Sequence, residues 1–120
     1  MAFVRLTDEG DPDPDFGSAG VAAYPFGPTT PVRGQGLIVQ PDGKYIGVGH
    51  TFDPDMVVMR VRRNGDLDPT FDDEGQVKTD VGSASQAHDV ALTPNDRILA
   101  FGYANRGTND FALVRYKSGL

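Results

Sequence analysis

Alternating carboxylates in one acidic segment are the first residues whose type and spacing could do chemistry. Asp11, Asp13 and Asp15 stand at every second position, as the oxygen ligands of a calcium loop do. Such a loop needs Gly at its sixth position and Glu at its twelfth, where this sequence has Phe16 and Ala22. An Asp beside Gly or Pro also caps a turn through its own side chain. Turn capping is therefore the favoured interpretation, and calcium binding is the weaker one. The candidate ligands from the two copies of this segment are Asp11, Asp13, Asp66 and Asp68.

Residues for covalent or acid–base catalysis do not form a recognisable set. The chain has no Cys, which excludes thiolate nucleophiles, thiolate zinc sites and disulfides. No Ser lies in a Gly-x-Ser-x-Gly elbow, and no glycine-rich stretch continues into a phosphate-binding motif. His50 and His88 do not occupy equivalent positions of the repeat described below, as a repeated metal site would require. We expect that the protein is not an enzyme and needs no cofactor.

Three regularly spaced arginines are the most regular polar residues of the chain. Arg5, Arg60 and Arg115 each follow two apolar residues and precede another. The interval from the first to the second equals the interval from the second to the third, and we call it the repeat shift. The arginines could line a surface that attracts an anionic ligand. Alternatively, an Arg at a fixed strand position lays its aliphatic stem on the neighbouring sheet and pairs with an aspartate. Because all three copies keep the residue, the structural role is favoured.

The repeat shift also relates longer segments. Residues 10–16 match residues 65–71 at five of seven positions, and residues 37–44 resemble residues 90–97 at a slightly shorter shift. The sequence therefore predicts two tandem repeats, about 1–55 and 56–110, followed by the first strand of a third at 111–120. The residues predicted to have equivalent structural roles are Arg5, Arg60, Arg115, Phe16, Phe71, Gly10 and Gly65.

Short strands must position these residues. Gly and Pro account for 15 and 9 of the 120 residues, and they divide apolar runs of four to seven residues rich in Val, Ile and Leu. The predicted elements are strands at 2–6, 21–26, 56–61, 76–81 and 111–116, and hairpins at 36–50 and 88–103. Four strands in each repeat unit are typical of a propeller blade, so we predict an all-β propeller of four-stranded antiparallel blades, two per chain.

Several strings of the repeat resemble one known family. Residues 40–44 (Gln-Pro-Asp-Gly-Lys), residues 64–71 and residues 109–116 are similar to the delta-60 repeats, tandem bacterial repeats regarded as β-propeller blades. Pro12 departs from the pattern, because Leu67 stands at the equivalent position. The resemblance implies a blade architecture and, often, a place in a bacterial surface or secreted protein. It implies no catalytic residues.

Charge and hydropathy restrict the partners. A net charge of −6 and an isoelectric point near 4.6 oppose attraction to nucleic acid or to anionic membranes. No apolar run approaches the roughly 20 residues of a membrane helix. We therefore expect neither nucleic acid nor membrane as a partner.

The strand count predicts an assembly of several copies. A blade cannot bury both of its faces alone, and closed propellers have about 4 to 8 blades. Nine predicted strands exceed the eight positions of two blades. We expect strand 21–26 of one chain to complete the blade of strands 88–116 in another, which leaves 2–6 or 111–116 redundant. The predicted product is a ring of three or four chains.

Two alternatives stay open. The chain could be an excised or engineered piece of a longer array, because it ends partway through a third repeat. It could also be a ligand-binding propeller for a carbohydrate, a cation or another small molecule. The loops at 25–35 and 105–109 are the candidate binding segments for that second function.

Overall fold

Nine β-strands form the regular structure of the computed structural model, which describes residues 1–72 and 74–117. In these residues no α-helix is found, and hence no helix long and apolar enough to cross a membrane. The all-β prediction is confirmed. The strands in chain order are β1 (Ala2–Val4), β2 (Val21–Ala23), β3 (Val32–Val39), β4 (Tyr45–Thr51), β5 (Met56–Val61), β6 (Gln76–Thr79), β7 (Ala84–Leu92), β8 (Ile98–Asn105) and β9 (Asn109–Tyr116).

The strands pair into three antiparallel sheets. β1 pairs with β2, the next four strands form the sheet β3-β4-β5-β6, and the last three form β7-β8-β9. The four-stranded sheet has the strand content predicted for one blade. It spans residues 32–79, so it crosses the position near residue 55 that separates the two sequence repeats.

Strand bounds differ from the sequence prediction most clearly in the first two strands and the first hairpin. Elsewhere β6 ends at Thr79, before the predicted 81, the second hairpin spans 84–105 where 88–103 was predicted, and β9 begins at Asn109, before the predicted 111. The predicted strands 2–6 and 21–26 shrink to three residues each, because beyond Val4 the chain enters a loop in which Leu6 makes only an isolated bridge to Pro12. The predicted hairpin at 36–50 begins earlier, at Val32. The segment before Gly36 pairs with β4 through a register shift between Gly34 and Gly36, which lets a glycine-rich stretch join the ladder.

The core lies on both faces of the four-stranded sheet, which we call the central sheet. On one face Val57 and Met59 pack in a cluster with Phe3 of β1 and Ala22 of β2. On the other face Val58 packs in a cluster that includes residues of β7, β8 and β9. Every residue of β5 is buried. Alternating side chains of one strand therefore hold three stacked sheets together, as in neighbouring propeller blades.

Candidate functional site

A buried ion pair forms the centre of the second loop of the repeat. Arg60 extends from β5, and its Nε lies 2.8 Å from Oδ2 of Asp68. Lys44 Nζ lies 2.9 Å from the same oxygen, and Thr70 donates from its backbone N–H and its hydroxyl to Oδ1. The Arg60 guanidinium also stacks over the Phe71 ring, 5.0 Å from its centroid. The structural role of this arginine stays a prediction, and these contacts are of the kind that such a role requires.

The first loop of the repeat has the same arrangement nearer the surface. Arg5 Nε lies 2.8 Å from Oδ2 of Asp13, and the guanidinium lies 4.8 Å from the centroid of Phe16. This ion pair is partly exposed, with 27% of the Arg5 side chain and 20% of the Asp13 side chain accessible. Arg5 also donates to the Tyr45 hydroxyl and to the carbonyl of Arg63. These contacts tie the first loop to the central sheet.

Backbone hydrogen bonds are the same in the two loops. In each, the arginine N–H donates to a glycine carbonyl, and the aspartate N–H donates to the arginine carbonyl. The phenylalanine N–H then donates to the aspartate carbonyl, and the glycine N–H to the phenylalanine carbonyl, all between 2.8 and 3.1 Å. The strand, its loop and the next strand thus fold as one unit. The four residues are Arg5, Asp13, Phe16 and Gly20 in the first loop, and Arg60, Asp68, Phe71 and Gly75 in the second.

Two glycines turn the chain at the start of these loops. Gly10 and Gly65 have φ of +88° and +94°, a conformation that other residues adopt only with strain. A Cβ on Gly10 would meet no atom within 4 Å, whereas a Cβ on Gly65 would lie 2.8 Å from the backbone nitrogen of Gly17. The repeat therefore needs glycine at both positions for the turn, and at the second also for packing.

The third arginine is in a different environment. Arg115 lies near the end of β9 with its side chain exposed. Within residues 1–72 and 74–117, no carboxylate lies at ion-pair distance from it. Residues 118–120, which the sequence analysis assigned to the third repeat, are outside the described residues. The structure therefore brings together the arginine and aspartate of two repeats and leaves the third arginine without that partner in the described part of the chain.

The four calcium candidates do not share one site. Asp13 and Asp68 are occupied by the arginine pairs described above, whereas Asp11 and Asp66 are exposed. Asp66 accepts a hydrogen bond from the Asn64 side chain. In the described part of the chain, no three His, Cys, Asp or Glu side chains are grouped so that they could hold a metal ion. Calcium binding stays a prediction without a preformed cluster to support it.

The pKa of the Asp68 carboxyl shows that its surroundings stabilise the charged form. Burial acts to raise this pKa, but the hydrogen bonds from Lys44 and Thr70 and the charge of Arg60 lower it well below its usual range. The carboxylate is therefore charged in the folded protein at every ordinary pH. A side chain held this way has a structural role and is not available as a general acid.

The charge of His88 affects the buried His50, although the two residues are far apart in sequence. His50 lies on β4 and is 8% exposed, and its Nδ1 has no hydrogen-bond partner among the described residues. Burial, followed by the charges of His88 and Arg33, lowers the pKa of its imidazole. The His88 ring in turn lies 5.8 Å from that of Tyr103. Their sequence positions gave no signal of this, because it arises from the packing of β7 on the central sheet.

An apolar face of the β7-β8-β9 sheet is a feature that the sequence alone did not locate. Phe101 and Phe111 stack on it at 6.4 Å between ring centroids, beside Leu113, which is 58% exposed. Sequence equivalence between the repeats places these three residues on Val48, Met56 and Val58, which are fully buried in the central sheet. We call this surface the trailing face. The side chains at these repeat positions are buried in the central sheet, whereas their equivalents in the β7-β8-β9 sheet are accessible to solvent.

A complementary apolar surface lies at the other end of the molecule. Val4 and Leu6 are 60% and 54% exposed on the outer side of β1. Leu37 and Val39 of β3 are also exposed, on the face of the central sheet that β1 and β2 cover only in part. We call these four residues the leading face. By the repeat shift, Val4 and Leu6 correspond to Met59 and Val61, which are fully buried.

Two grooves adjoin the leading face. The smaller, of about 230 Å³, runs beside β1 and is lined by Met1, Phe3, Gly36, Leu37 and Gly47 among others. The larger, of about 650 Å³, includes Tyr24, Pro25, Thr29 and Pro31. The proline-rich segment 25–35, a predicted ligand loop, therefore forms part of its lining.

Comparison with known proteins supports the fold. A family model described as a domain of unknown function (DUF5122) beta-propeller matches residues 40–71. The matched segment contains β4, β5 and the loop with Asp68 and Phe71. No curated protein and no solved structure matches the chain significantly. The chain thus has the features of a propeller-type repeat family, and the delta-60 name and the two tandem copies remain predictions from the sequence.

Proposed function

We propose that this protein is a non-catalytic structural β-propeller module that self-assembles by strand exchange into a closed ring of identical chains. The observation that carries this proposal is the trailing face. Its exposed Phe111 and Leu113 occupy repeat positions that are fully buried in the central sheet as Met56 and Val58. A repeat position that is buried within the chain in one copy is suited to be buried against a second chain in the other copy.

The two ends of the molecule are complementary. Inside the chain, the face with Met56 and Val58 packs on the following sheet, and the face with Met59 and Val61 packs on the preceding one. The trailing face repeats the first surface, and Val4 and Leu6 of the leading face repeat the second. Contact between two different surfaces is heterologous. It produces a ring when the rotation from one chain to the next returns to the first chain after a whole number of copies.

Strand exchange completes the sheets at this contact. The sheet β7-β8-β9 has three strands and β1-β2 has two, whereas the central sheet has four. Their unpaired edges expose backbone groups that pairing between chains would satisfy. With two blades per chain, three or four chains form six or eight blades, within the usual range of propellers.

Light scattering over a range of concentrations tests self-assembly. Leu37 is 59% exposed on the leading face, so Leu37→Asp leaves the isolated chain intact and places a charge in the contact. Phe52 is 65% exposed in the turn between β4 and β5, and Phe52→Asp is the matched control. We expect a ring mass for the wild type and for Phe52→Asp, and a monomer mass for Leu37→Asp. A wild-type monomer at all concentrations would overturn the proposal.

The larger groove supports a second candidate function, which is binding of a carbohydrate or a cation by a propeller of a bacterial surface or secreted protein. The groove offers an aromatic ring from Tyr24 beside Thr29 and two prolines. A panel of glycans and ions titrated into the protein tests this function. Saturable binding lost in Tyr24→Ala would support it, and the absence of binding would contradict it.

A further inference from the structure

The identity of the exchanged strand can be inferred, and this inference rests on the proposed self-assembly. We infer that β1 and β2 of one chain enter the blade of a second copy together, so that β1 pairs with β8 and takes the position of β9. The shared blade is then β7 and β8 of one chain followed by β1 and β2 of the other. β9 is the redundant ninth strand.

The pairing registers permit this exchange without adjustment. β5 pairs with β6 so that Val58 lies opposite Val77. The repeat shift carries this pair onto Phe3 of β1 and Ala22 of β2, which also lie opposite each other. The hairpin β1-β2 is therefore a copy of β5-β6, the third and fourth strands of a complete blade. It fits a blade that already has its first two strands.

The exchange keeps the trailing face apolar. By the repeat shift, Phe3 of β1 and Leu113 of β9 are both equivalent to Val58. When β1 takes the position of β9, Phe3 therefore occupies the place that Leu113 leaves. Phe101 of β8 stays in the shared blade next to it. By the same shift, Met1 takes the position of Phe111. The apolar positions that carry the proposed assembly are thus retained, with Met1 and Phe3 in place of Phe111 and Leu113.

The loop between β1 and β2 favours moving both strands together. Arg5 donates its N–H to Gly20 and accepts from the N–H of Asp13, so the loop is hydrogen-bonded to the end of β1. Met1 donates from its terminal ammonium group to the carbonyl of Tyr24, which binds the other end of β1 to β2. If β2 entered the second chain alone, the bonds from Arg5 to Gly20 and from Met1 to Tyr24 would break. Displacing β9 keeps both of these bonds and opens the ladder between β8 and β9, and β1 then pairs with the edge of β8 that β9 leaves.

The environments of the arginines also favour the exchange of β1 for β9. Arg5 carries its own partners, Asp13 at 2.8 Å and the Phe16 ring at 4.8 Å, into the shared blade. This reproduces the arrangement of Arg60 with Asp68 in the central sheet. Arg115 on β9 is exposed and has no carboxylate partner in residues 1–72 and 74–117. With β1 in the blade, a complete arginine–aspartate loop replaces an incomplete one.

The smaller groove is the place where the second chain enters. It runs along β1, and its floor is formed by glycines, including Gly36 and Gly47. Phe3 approaches Gly47 so closely that a Cβ there would lie 2.8 Å from the ring. A strand laid beside β1 at this point would cover Leu37, which is exposed. β8 of a second copy is the segment whose register with β1 is already defined by the repeat.

Engineered cysteines distinguish the two strands without any deletion. In β4-β5 the residue opposite Gly47 is Met59, and the repeat equivalents are Ala100 and Val4. In β8-β9 the residue opposite Ala100 is Val114. Directly opposed residues in an antiparallel pair are close enough for a disulfide. Because the chain contains no cysteine, each introduced pair gives an unambiguous product.

The experiment compares the disulfides formed by V4C/A100C and by A100C/V114C after mild oxidation of the assembled fraction. Native mass spectrometry of each reduced sample shows whether the variant still assembles. We expect V4C/A100C to give covalent multimers on a denaturing gel and A100C/V114C to give little intrachain disulfide. The inference would be overturned, but not the self-assembly, if the protein forms a ring with two results. These are an intrachain disulfide in A100C/V114C and no cross-link between chains in V4C/A100C. A monomeric wild type would overturn the proposed function and the inference with it.

Discussion

Arg60 and Asp68 form an ion pair whose side chains are no more than 1% exposed, with Arg60 Nε 2.8 Å from the carboxylate. The equivalent pair in the first repeat, Arg5 and Asp13, has the same separation but lies partly in solvent. One loop structure is thus present in two environments within a single chain. The difference arises from packing, because the β7-β8-β9 sheet lies over the face of the central sheet that carries Arg60 and none of the described residues covers Arg5 to the same extent.

Removing the buried charge should destabilise the protein strongly. Asp68→Asn keeps the shape of the side chain but leaves Arg60 buried beside Lys44 without its carboxylate. We expect the free energy of unfolding to fall by about 3 kcal/mol or more. Asp13→Asn is the matched control in the exposed copy, and its loss should be much smaller, because solvent compensates the charge of Arg5. Urea unfolding of both variants measures the difference, and equal losses would contradict the buried role of Asp68.

The same carboxylate should make stability depend on acid pH. The pKa of Asp68 is below its ordinary value of 3.8 in the folded protein, so the folded state favours the charged form. Its contribution is complete above that ordinary value and is lost as the pH falls below it toward the folded pKa. Urea unfolding from pH 5 to pH 2.5 should therefore show a steeper fall for the wild type than for Asp68→Asn. Identical slopes would count against the ion pair.

His50 should add a second pH dependence in a milder range. Its pKa is lowered by burial, so the folded state favours the neutral imidazole. Its contribution is complete above the ordinary value of 6.5 and is lost as the pH falls below that value toward the folded pKa. We expect His50→Gln to flatten the stability profile between pH 7 and pH 5. A variant profile with the wild-type slope would show that His50 is not the group responsible.

Glycine at the two equivalent turns should differ in importance. Gly10→Ala introduces only the backbone strain of its positive φ, which costs about 1 kcal/mol. Gly65→Ala adds a contact of 2.8 Å with the backbone of Gly17, so its loss of unfolding free energy should be larger. Thermal unfolding of the two variants in parallel measures this. A greater loss in Gly10→Ala would contradict the packing described for Gly65.

Local features were predictable from the sequence. Apolar runs predicted strands at 56–61 and 111–116, and the structure has strands at Met56–Val61 and Asn109–Tyr116. The repeat shift identified loops whose backbone hydrogen bonds are the same. Both follow from interactions between residues close in sequence, namely strand pairing and turn formation.

Features that depend on packing between sheets were not predictable. Arg115 is exposed because no described sheet covers its side of β9, and His88 influences His50 where β7 packs on the central sheet. Residue spacing carries no record of which sheets pack together. The early start of β3 at Val32 was missed because the proline-rich segment has no strand pattern of its own, and only its pairing with β4 makes it a strand.

Native mass spectrometry of the unmodified chain distinguishes a closed ring from a monomer. We expect a single closed species whose mass is three or four times 12.9 kDa, with no open series of intermediate sizes at higher concentration. A sharp peak at the mass of one chain, with unfolding that does not depend on concentration, would contradict it.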